Sequence, residues 1–117
     1  MPTLTREQID NSIDAKIIKV PAFGGEVCIR LMTVGDRDSY EVKLLEAQAN
    51  AVPVIPDFRS ELLARCICDD KGNLLYPGEE GVAALKKRSV DAMHSLWKAA
   101  LKHNALTEEE ITKLAGE

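Results

Sequence analysis

The chain has few aromatic side chains and no long apolar run, and both absences narrow what it can be. Two Phe, two Tyr and one Trp stand among 117 residues, so the core has to be built mainly from Leu, Ile, Val and Ala. No stretch approaches the roughly 18 consecutive apolar residues that a membrane-spanning helix needs. The polar, acidic first residues also lack the hydrophobic stretch of a secretory signal. We therefore expect no membrane span and no secretion.

An excess of basic residues is also missing. Fifteen Lys and Arg stand against 19 Asp and Glu, giving a net charge of −4, which disfavours binding to nucleic acid or to an anionic membrane. The three cysteines follow no zinc or disulfide spacing and suit a reducing cytoplasm. With 45% apolar and 29% charged residues, the composition is that of one folded domain over residues 1–117.

Two similar hexads each predict the start of a helix. In LTREQI (4–9) and LTEEEI (106–111), a Thr occupies the N-cap and a Gln or Glu follows three residues later, as in a capping box. The apolar residues that begin and end each hexad have the spacing of a hydrophobic staple. We expect short helices at about 6–12 and 108–115.

A β-hairpin is predicted after the first helix. Residues 16–20 and 26–31 are rich in β-branched side chains, and the second run alternates apolar with polar residues. Between them, residues 21–25 contain Pro21, Gly24 and Gly25, which favour a turn. The pattern predicts two strands joined by a loop of about five residues.

The rest of the chain predicts mainly helices. Thr33 caps a helix that runs to about residue 50, and the prolines in 51–56 predict an extended apolar connector. Together with the hairpin, this predicts an α+β fold, mainly helical, in which an N-terminal β-hairpin packs against about four to five short helices. The remaining predicted elements are a helix from 57 or 58, a turn at 69–73, a short strand at 74–76, a helix at 79–87 and a helix from the cap Ser89 to Asn104.

Residue types that often carry chemistry occur here without the spacing that chemistry needs. Cys66 and Cys68 are one residue apart with no nearby His, so we interpret them as small buried side chains. His94 and His103 project from opposite sides of one helix and cannot bind a metal together. Residues 69–73 lack the ligand spacing of a calcium loop. We expect no catalytic residue, no metal site and no cofactor.

Other charged residues also have simple structural interpretations. Asp36, Asp38 and Glu41 place carboxylates on one helix, but the sequence shows no pocket in which they could act as acid or base. The basic run at 86–88 lies at the C-terminal end of a predicted helix, where cations interact favourably with the helix dipole. We interpret both groups as solvated surface.

Several segments follow one another in a recognisable order: LTREQI, VPAFGGEVCIRLMT followed by GDRDSYE, LLARCICDDKGNLLY, and GVAALKKRSVDAMHSLWKAALKHNALTEEEI. In this order they resemble the tail assembly chaperones of long-tailed phages and prophages. They cover nearly the whole chain in the family's order. Phe23 stands where the family more commonly has Trp, which keeps an aromatic side chain at that position.

The resemblance implies a binding function without catalysis. Members of this family bind the tape measure protein, the long helical chain that sets tail length, and keep it soluble until the tail tube polymerises around it. The resemblance further implies that the chain self-associates and that the tail-tube protein is a second partner. It also implies that the chain acts in the cytoplasm of the bacterial host and is absent from the mature virion. Nucleic acid and membranes are not expected partners.

Apolar residues in predicted loops are the candidate partner contacts. Phe23 lies at the predicted hairpin tip, and Val52, Val54 and Ile55 lie in the connector, where solvation would favour polar side chains. We hypothesise that these four residues bind the client. The alternative is that they fold back over the core.

Two other classes of protein are compatible with a small acidic chain. The first is a structural virion component, such as a tail-completion or head–tail connector protein. The second is a host-directed regulator or antitoxin, for which a basic DNA-reading helix would be expected. The charge distribution does not provide such a helix.

Overall fold

The fold is α+β and mainly helical, with a three-stranded antiparallel sheet in the order β1-β2-β3. The computed structural model describes residues 2–12, 14–49 and 57–106. The predicted fold class is confirmed, including the N-terminal hairpin. The elements, in chain order, are α1 (Arg6–Asp10), β1 (Ile18–Ala22), β2 (Gly25–Ile29), α2 (Val34–Ala49), α3 (Phe58–Ala64), β3 (Ile67–Cys68), α4 (Gly78–Leu85) and α5 (Val90–His103).

The hairpin has a shorter loop than its sequence predicts. Strand β1 continues through Pro21 and Ala22, and Ala22 pairs directly with Gly25. The prediction of a five-residue loop at 21–25 was wrong, because the turn consists of Phe23 and Gly24 alone. Pro21 is compatible with the strand because β1 lies at the edge of the sheet, where a missing N–H leaves no ladder bond unmade.

The third strand lies at a different place from the one predicted. Ile67 and Cys68 pair with β2, whereas Leu74 contributes one isolated bridge to Cys68. The predicted strand at 74–76 was therefore wrong in extent and in position. The predicted turn at 69–73 is confirmed, since the Asp69 N–H donates to the Asn73 carbonyl at 2.9 Å. This turn folds the chain back so that Leu74 reaches its bridge partner.

The helix starts follow the predicted capping residues. In α1, the Thr5 N–H donates to Gln8 Oε1 at 2.9 Å and the Gln8 N–H donates to Thr5 Oγ1 at 3.3 Å, which completes the capping box. In α2, the Asp36 N–H donates to Thr33 Oγ1 at 3.1 Å. In α5, the Ala92 N–H donates to Ser89 Oγ at 3.4 Å. Each cap satisfies one N–H that the first helical turn leaves unpaired.

Helix α4 packs closely on the chain that precedes it. A Cβ at Gly81 would lie 2.0 Å from the Tyr76 carbonyl oxygen, so this position admits no side chain without backbone movement. The helix spans Gly78–Leu85, two residues less at its C-terminal end than the predicted 79–87. The basic run at 86–88 follows the helix as turn residues.

Helix α5 ends at Asn104, as predicted. Asn104 is the C-cap, but its φ is −91° rather than left-handed. The left-handed residue is Ala105, with φ of 54°. The Asn104 side chain is instead buried among polar groups of three elements, as described below.

The core lies where α2, α3 and α5 meet the sheet. Tyr40, Leu44 and Ala47 form the buried face of α2. Burying a side chain of Leu size contributes about 1.5–3 kcal/mol before entropy is counted, so the wide apolar face of α5 is a major part of the stabilisation. The buried residues of α3 and α5 are Ser60, Leu62, Leu63, Ala64, Met93, Leu96, Trp97, Ala100 and Leu101.

Two predicted segments lie outside the described residues. These are the C-terminal helix at 108–115 and the apolar connector at 51–56. Within the described part of the chain, no helix has both the length and the apolar character needed to cross a membrane.

Candidate partner-binding surface

The tip of the hairpin places an aromatic residue in an unfavourable backbone conformation. Phe23 has φ of 54° and Gly24 has φ of 76°, which is the pattern of a two-residue type I′ turn. Such turns favour Asn-Gly, because a bulky side chain is rarely stable at positive φ. The Phe23 side chain is 58% exposed, so burial in the core does not compensate for the backbone strain. A strained, exposed aromatic residue is a reasonable candidate for a functional contact.

A groove lies beside Phe23, and we call it the hairpin groove. It encloses about 310 Å³ between the hairpin, β3 and the residues that precede α4. Val27 and Tyr76 on its wall are half-buried, while Leu75 is 55% exposed. Charged residues at its margin are Glu26, Asp69 and Arg88. The hairpin groove can therefore accept an apolar side chain with polar groups around it.

Two cysteine thiols add to the apolar character of the hairpin groove. Cys28 and Cys68 are direct partners in the pairing of β2 with β3, and both line the groove. Burial raises the pKa of the Cys68 thiol. The deeper Cys66 is fully buried, and burial raises its pKa to about 12. All three cysteines are free, and the prediction that Cys66 and Cys68 are small buried side chains is confirmed.

Behind the groove, a polar seam connects the end of β2 to α2 and α3. We define the polar seam as Arg30, Asp36, Glu61, Arg65 and Asn104. The Arg30 guanidinium donates to Asp36 Oδ2 at 2.5 Å, to the Gly72 carbonyl at 2.9 Å and to the Arg65 carbonyl at 3.4 Å. Its side chain is 12% exposed, so these bonds replace lost hydration.

Arg65 completes the α3 side of the polar seam. Its guanidinium donates to the carboxylate of Glu61 at 3.1 Å, to the Glu61 carbonyl at 2.8 Å and to Ser39 Oγ at 3.1 Å. It also lies 5.7 Å from the ring centroid of Tyr40. Lys43 adds a second cation to Glu61 at 3.1 Å. The charges of the seam are therefore mutually compensated.

Asn104 ties α5 to the polar seam. Its Oδ1 accepts from the Met32 N–H at 2.8 Å, and its Nδ2 donates to the Ala100 carbonyl at 3.0 Å. The Nδ2 group also lies 3.6 Å from Cys66 Sγ. Since only 6% of Asn104 is exposed, these contacts satisfy a polar group that burial would otherwise destabilise. The seam holds together the elements that support the hairpin.

Titratable side chains elsewhere do not converge on a reactive centre. His94 is exposed, and His103 is half-buried with its ring Nε2 in contact with the Lys16 carbonyl. The Asp69 carboxylate accepts from the backbone N–H groups of Asn73 and Lys71, which lowers its pKa. In residues 2–12, 14–49 and 57–106, no three His, Cys, Asp or Glu side chains are grouped as metal ligands would be.

The four predicted contact residues have different outcomes. Phe23 lies at the hairpin tip, although in a tighter turn than predicted. Val52, Val54 and Ile55 lie outside the described residues. Sequence reasoning missed Leu75 as a groove residue, because its segment was interpreted as a short strand. An apolar residue placed directly between two turns is the signal that could have identified it.

Comparison of the chain with protein-family models, with curated proteins and with solved structures finds no match. Support for a function therefore comes from the side chains of this chain and from the ordered resemblance in its sequence.

Proposed function

We propose that the protein is a phage tail assembly chaperone that binds the tape measure protein and keeps it soluble in the bacterial cytoplasm, without catalysis. The observation that supports this most directly is Phe23, which is 58% exposed at positive φ beside the hairpin groove. A residue that destabilises its own turn and stays in solvent is best explained by a contact with a partner.

The chemistry of the hairpin groove suits a helical client. An amphipathic helix presents apolar side chains at intervals of three and four residues. Phe23 and Leu75 offer exposed apolar surface on either side of the groove, so one side chain of the client can insert between them. Weak contacts of this kind become effective when many chaperone copies bind along one long chain.

The test is co-expression with the tape measure protein that the proposal expects in the same phage or prophage genome, followed by pull-down and by measurement of soluble client. We expect Phe23→Asn to lower client affinity by about tenfold, the effect of losing an aromatic anchor worth about 1.4 kcal/mol or more. Asn suits the first position of a type I′ turn, so the variant stays folded. Leu75→Asn should weaken binding in the same direction.

The matched control is Leu4→Asn. Leu4 is 56% exposed, close to the exposure of Phe23 and Leu75, and it does not line the hairpin groove. Unchanged client binding by Phe23→Asn and Leu75→Asn would contradict the proposed surface. Ile55→Asp tests the connector in the same assay. Mass spectrometry of purified virions provides a second readout, since finding the protein there would favour a structural tail component instead.

A further inference from the structure

A second groove lies between the start of α3 and the junction of α4 with α5. It encloses about 300 Å³ and has an apolar floor that includes Phe58, Leu85 and Met93. Arg59, Lys86 and Arg88 also line it, and we call it the basic groove. At its margin Val90 is 69% exposed, so apolar surface continues out of the groove into solvent.

The charge of the basic groove is opposite to that of the whole chain. The chain carries a net charge of −4, yet among the described residues that line the groove Asp57 is the single carboxylate. Its Oδ2 lies 3.1 Å from Lys86 Nζ, so that pair is neutral. The positive charges of Arg59 and Arg88 are left in excess.

Two aromatic rings hold the guanidinium group of Arg59 in place. Its guanidinium carbon lies 5.4 Å from the ring centroid of Phe58 and 5.3 Å from that of Trp97. The two rings pack edge to face, with centroids 5.4 Å apart. Contacts of this kind fix the plane of a guanidinium group while leaving its N–H edges available to a ligand.

The hydrogen bonding of Arg59 is incomplete. Within the described part of the chain, its buried Nε has no hydrogen-bond partner. Buried hydrogen-bond donors are nearly always paired with an acceptor. The hydrogen bonds of an ionised donor are also stronger than those of a neutral one. Because Nε itself is buried, a partner would pair with the outer N–H groups of the guanidinium, whose fork matches the two acceptor oxygens of a carboxylate.

We infer that the basic groove is a docking surface for an acidic segment of a partner protein whose carboxylates alternate with apolar side chains. The carboxylates pair with Arg59 and Arg88, and an apolar side chain covers Phe58 and Met93. Nucleic acid fits less well, because it needs several phosphate contacts and gains little from an apolar floor. This inference does not rest on the proposed chaperone function.

The test is fluorescence anisotropy with the full chain and a labelled peptide of repeated Glu-Glu-Leu-Leu. We expect saturable binding that weakens with added salt, and a loss of about tenfold in affinity for Arg59→Gln, which removes a charge-assisted pair. Arg59→Lys should recover part of the affinity, since Lys keeps the charge and lacks the planar fork. Arg88→Gln changes an exposed side chain and tests the groove without altering its packing.

The matched control is Arg6→Gln, which removes the same charge from a side chain that is 95% exposed on α1, and it should bind as the unaltered protein does. Equal affinity for a Gln-Gln-Leu-Leu peptide would overturn the inference, as would unchanged binding by both Arg59→Gln and Arg88→Gln. Equal or tighter binding of a single-stranded DNA oligonucleotide would assign the groove to polyanions and overturn it too. Because Arg88 also borders the hairpin groove, the Arg59 variants separate this surface from that of Phe23.

Discussion

Arg65 and Arg59 lie near opposite ends of α3, and both hold a guanidinium group beside aromatic rings, yet their surroundings differ. Arg65 donates to Glu61 and Ser39, within the polar seam. Arg59 lies beside the rings of Phe58 and Trp97, and its buried Nε has no hydrogen-bond partner among the described residues. The first arrangement is complete within the chain and stabilises the fold. The second is incomplete, which is what a surface kept for a partner requires.

The same contrast separates the two larger regions to which these arginines belong. In the polar seam, buried charges are paired and Asn104 uses both its oxygen and its nitrogen. At the hairpin groove and the basic groove, Phe23 is exposed and strained, and the buried Nε of Arg59 has no hydrogen-bond partner among the described residues. Residues that stabilise the protein and residues that we propose to bind partners are therefore largely different sets, and variants can separate them.

The largest expected effect comes from breaking the polar seam. Arg30→Met would leave the Asp36 carboxylate and the Gly72 carbonyl without their buried partner. Removing one member of a buried ion pair typically costs about 3–5 kcal/mol, and because Asp36 retains 28% exposure, we expect a loss near the lower end. Urea denaturation measures it.

The matched control is Arg6→Met, which breaks a more exposed pair with Asp10. It should cost about 1 kcal/mol or less. Equal losses for the two variants would mean that the polar seam is no more important to the fold than a surface ion pair.

A smaller effect is expected at alkaline pH. The Cys66 thiol has its pKa raised by burial from 9.0 to about 12, so between these values the unfolded chain releases a proton that the folded protein retains. Stability should therefore be unchanged by this group below pH 9 and should fall as pH rises toward 12, by at most about 1.4 kcal/mol per pH unit. Thermal unfolding of the protein and of Cys66→Ala across this range measures the difference.

Cys66→Ala should flatten that alkaline decline, because it removes the thiol whose pKa burial raises. A decline of the same steepness in Cys66→Ala would show that other groups control the alkaline limit of stability.

The smallest expected effect has the opposite sign. Phe23→Asn should stabilise the protein by about 1 kcal/mol, because Asn tolerates positive φ and Phe does not. Ala tolerates this positive φ no better than Phe does, so Phe23→Ala should give no comparable gain in stability. The thermal unfolding midpoint measures both. A loss of stability in Phe23→Asn would indicate that the aromatic ring is held by the fold rather than offered to a partner.

Features that depend on neighbouring residues in sequence were predictable. Thr5, Thr33 and Ser89 act as N-caps, since a cap needs only a hydroxyl and an N–H two or three residues later. The buried face of α2 follows from helical periodicity in the same way. Cys66 was correctly interpreted as buried because no ligand or partner residue stands near it in sequence.

Features that depend on distant segments were not predictable in the same way. The polar seam joins Arg30 to the Gly72 carbonyl and Asn104 to the Met32 N–H, and no local pattern marks such pairs. The strand Ile67–Cys68 is too short to show alternation, so its pairing with β2 could not be recognised. The hairpin loop was predicted too long because Phe at positive φ contradicts ordinary turn preferences. That contradiction is also what makes Phe23 informative.

The edge of the sheet has a consequence for how copies of this protein meet. In a hairpin closed by a two-residue turn, alternate residues of β1 direct their backbone groups away from β2, and the register places Lys19 and Pro21 in those positions. Pro21 has no N–H to offer, and Lys19 brings a charge that a neighbouring strand would have to bury. A fourth strand therefore cannot pair fully along this edge, so copies of this protein at high concentration do not form a continuous intermolecular sheet by this route.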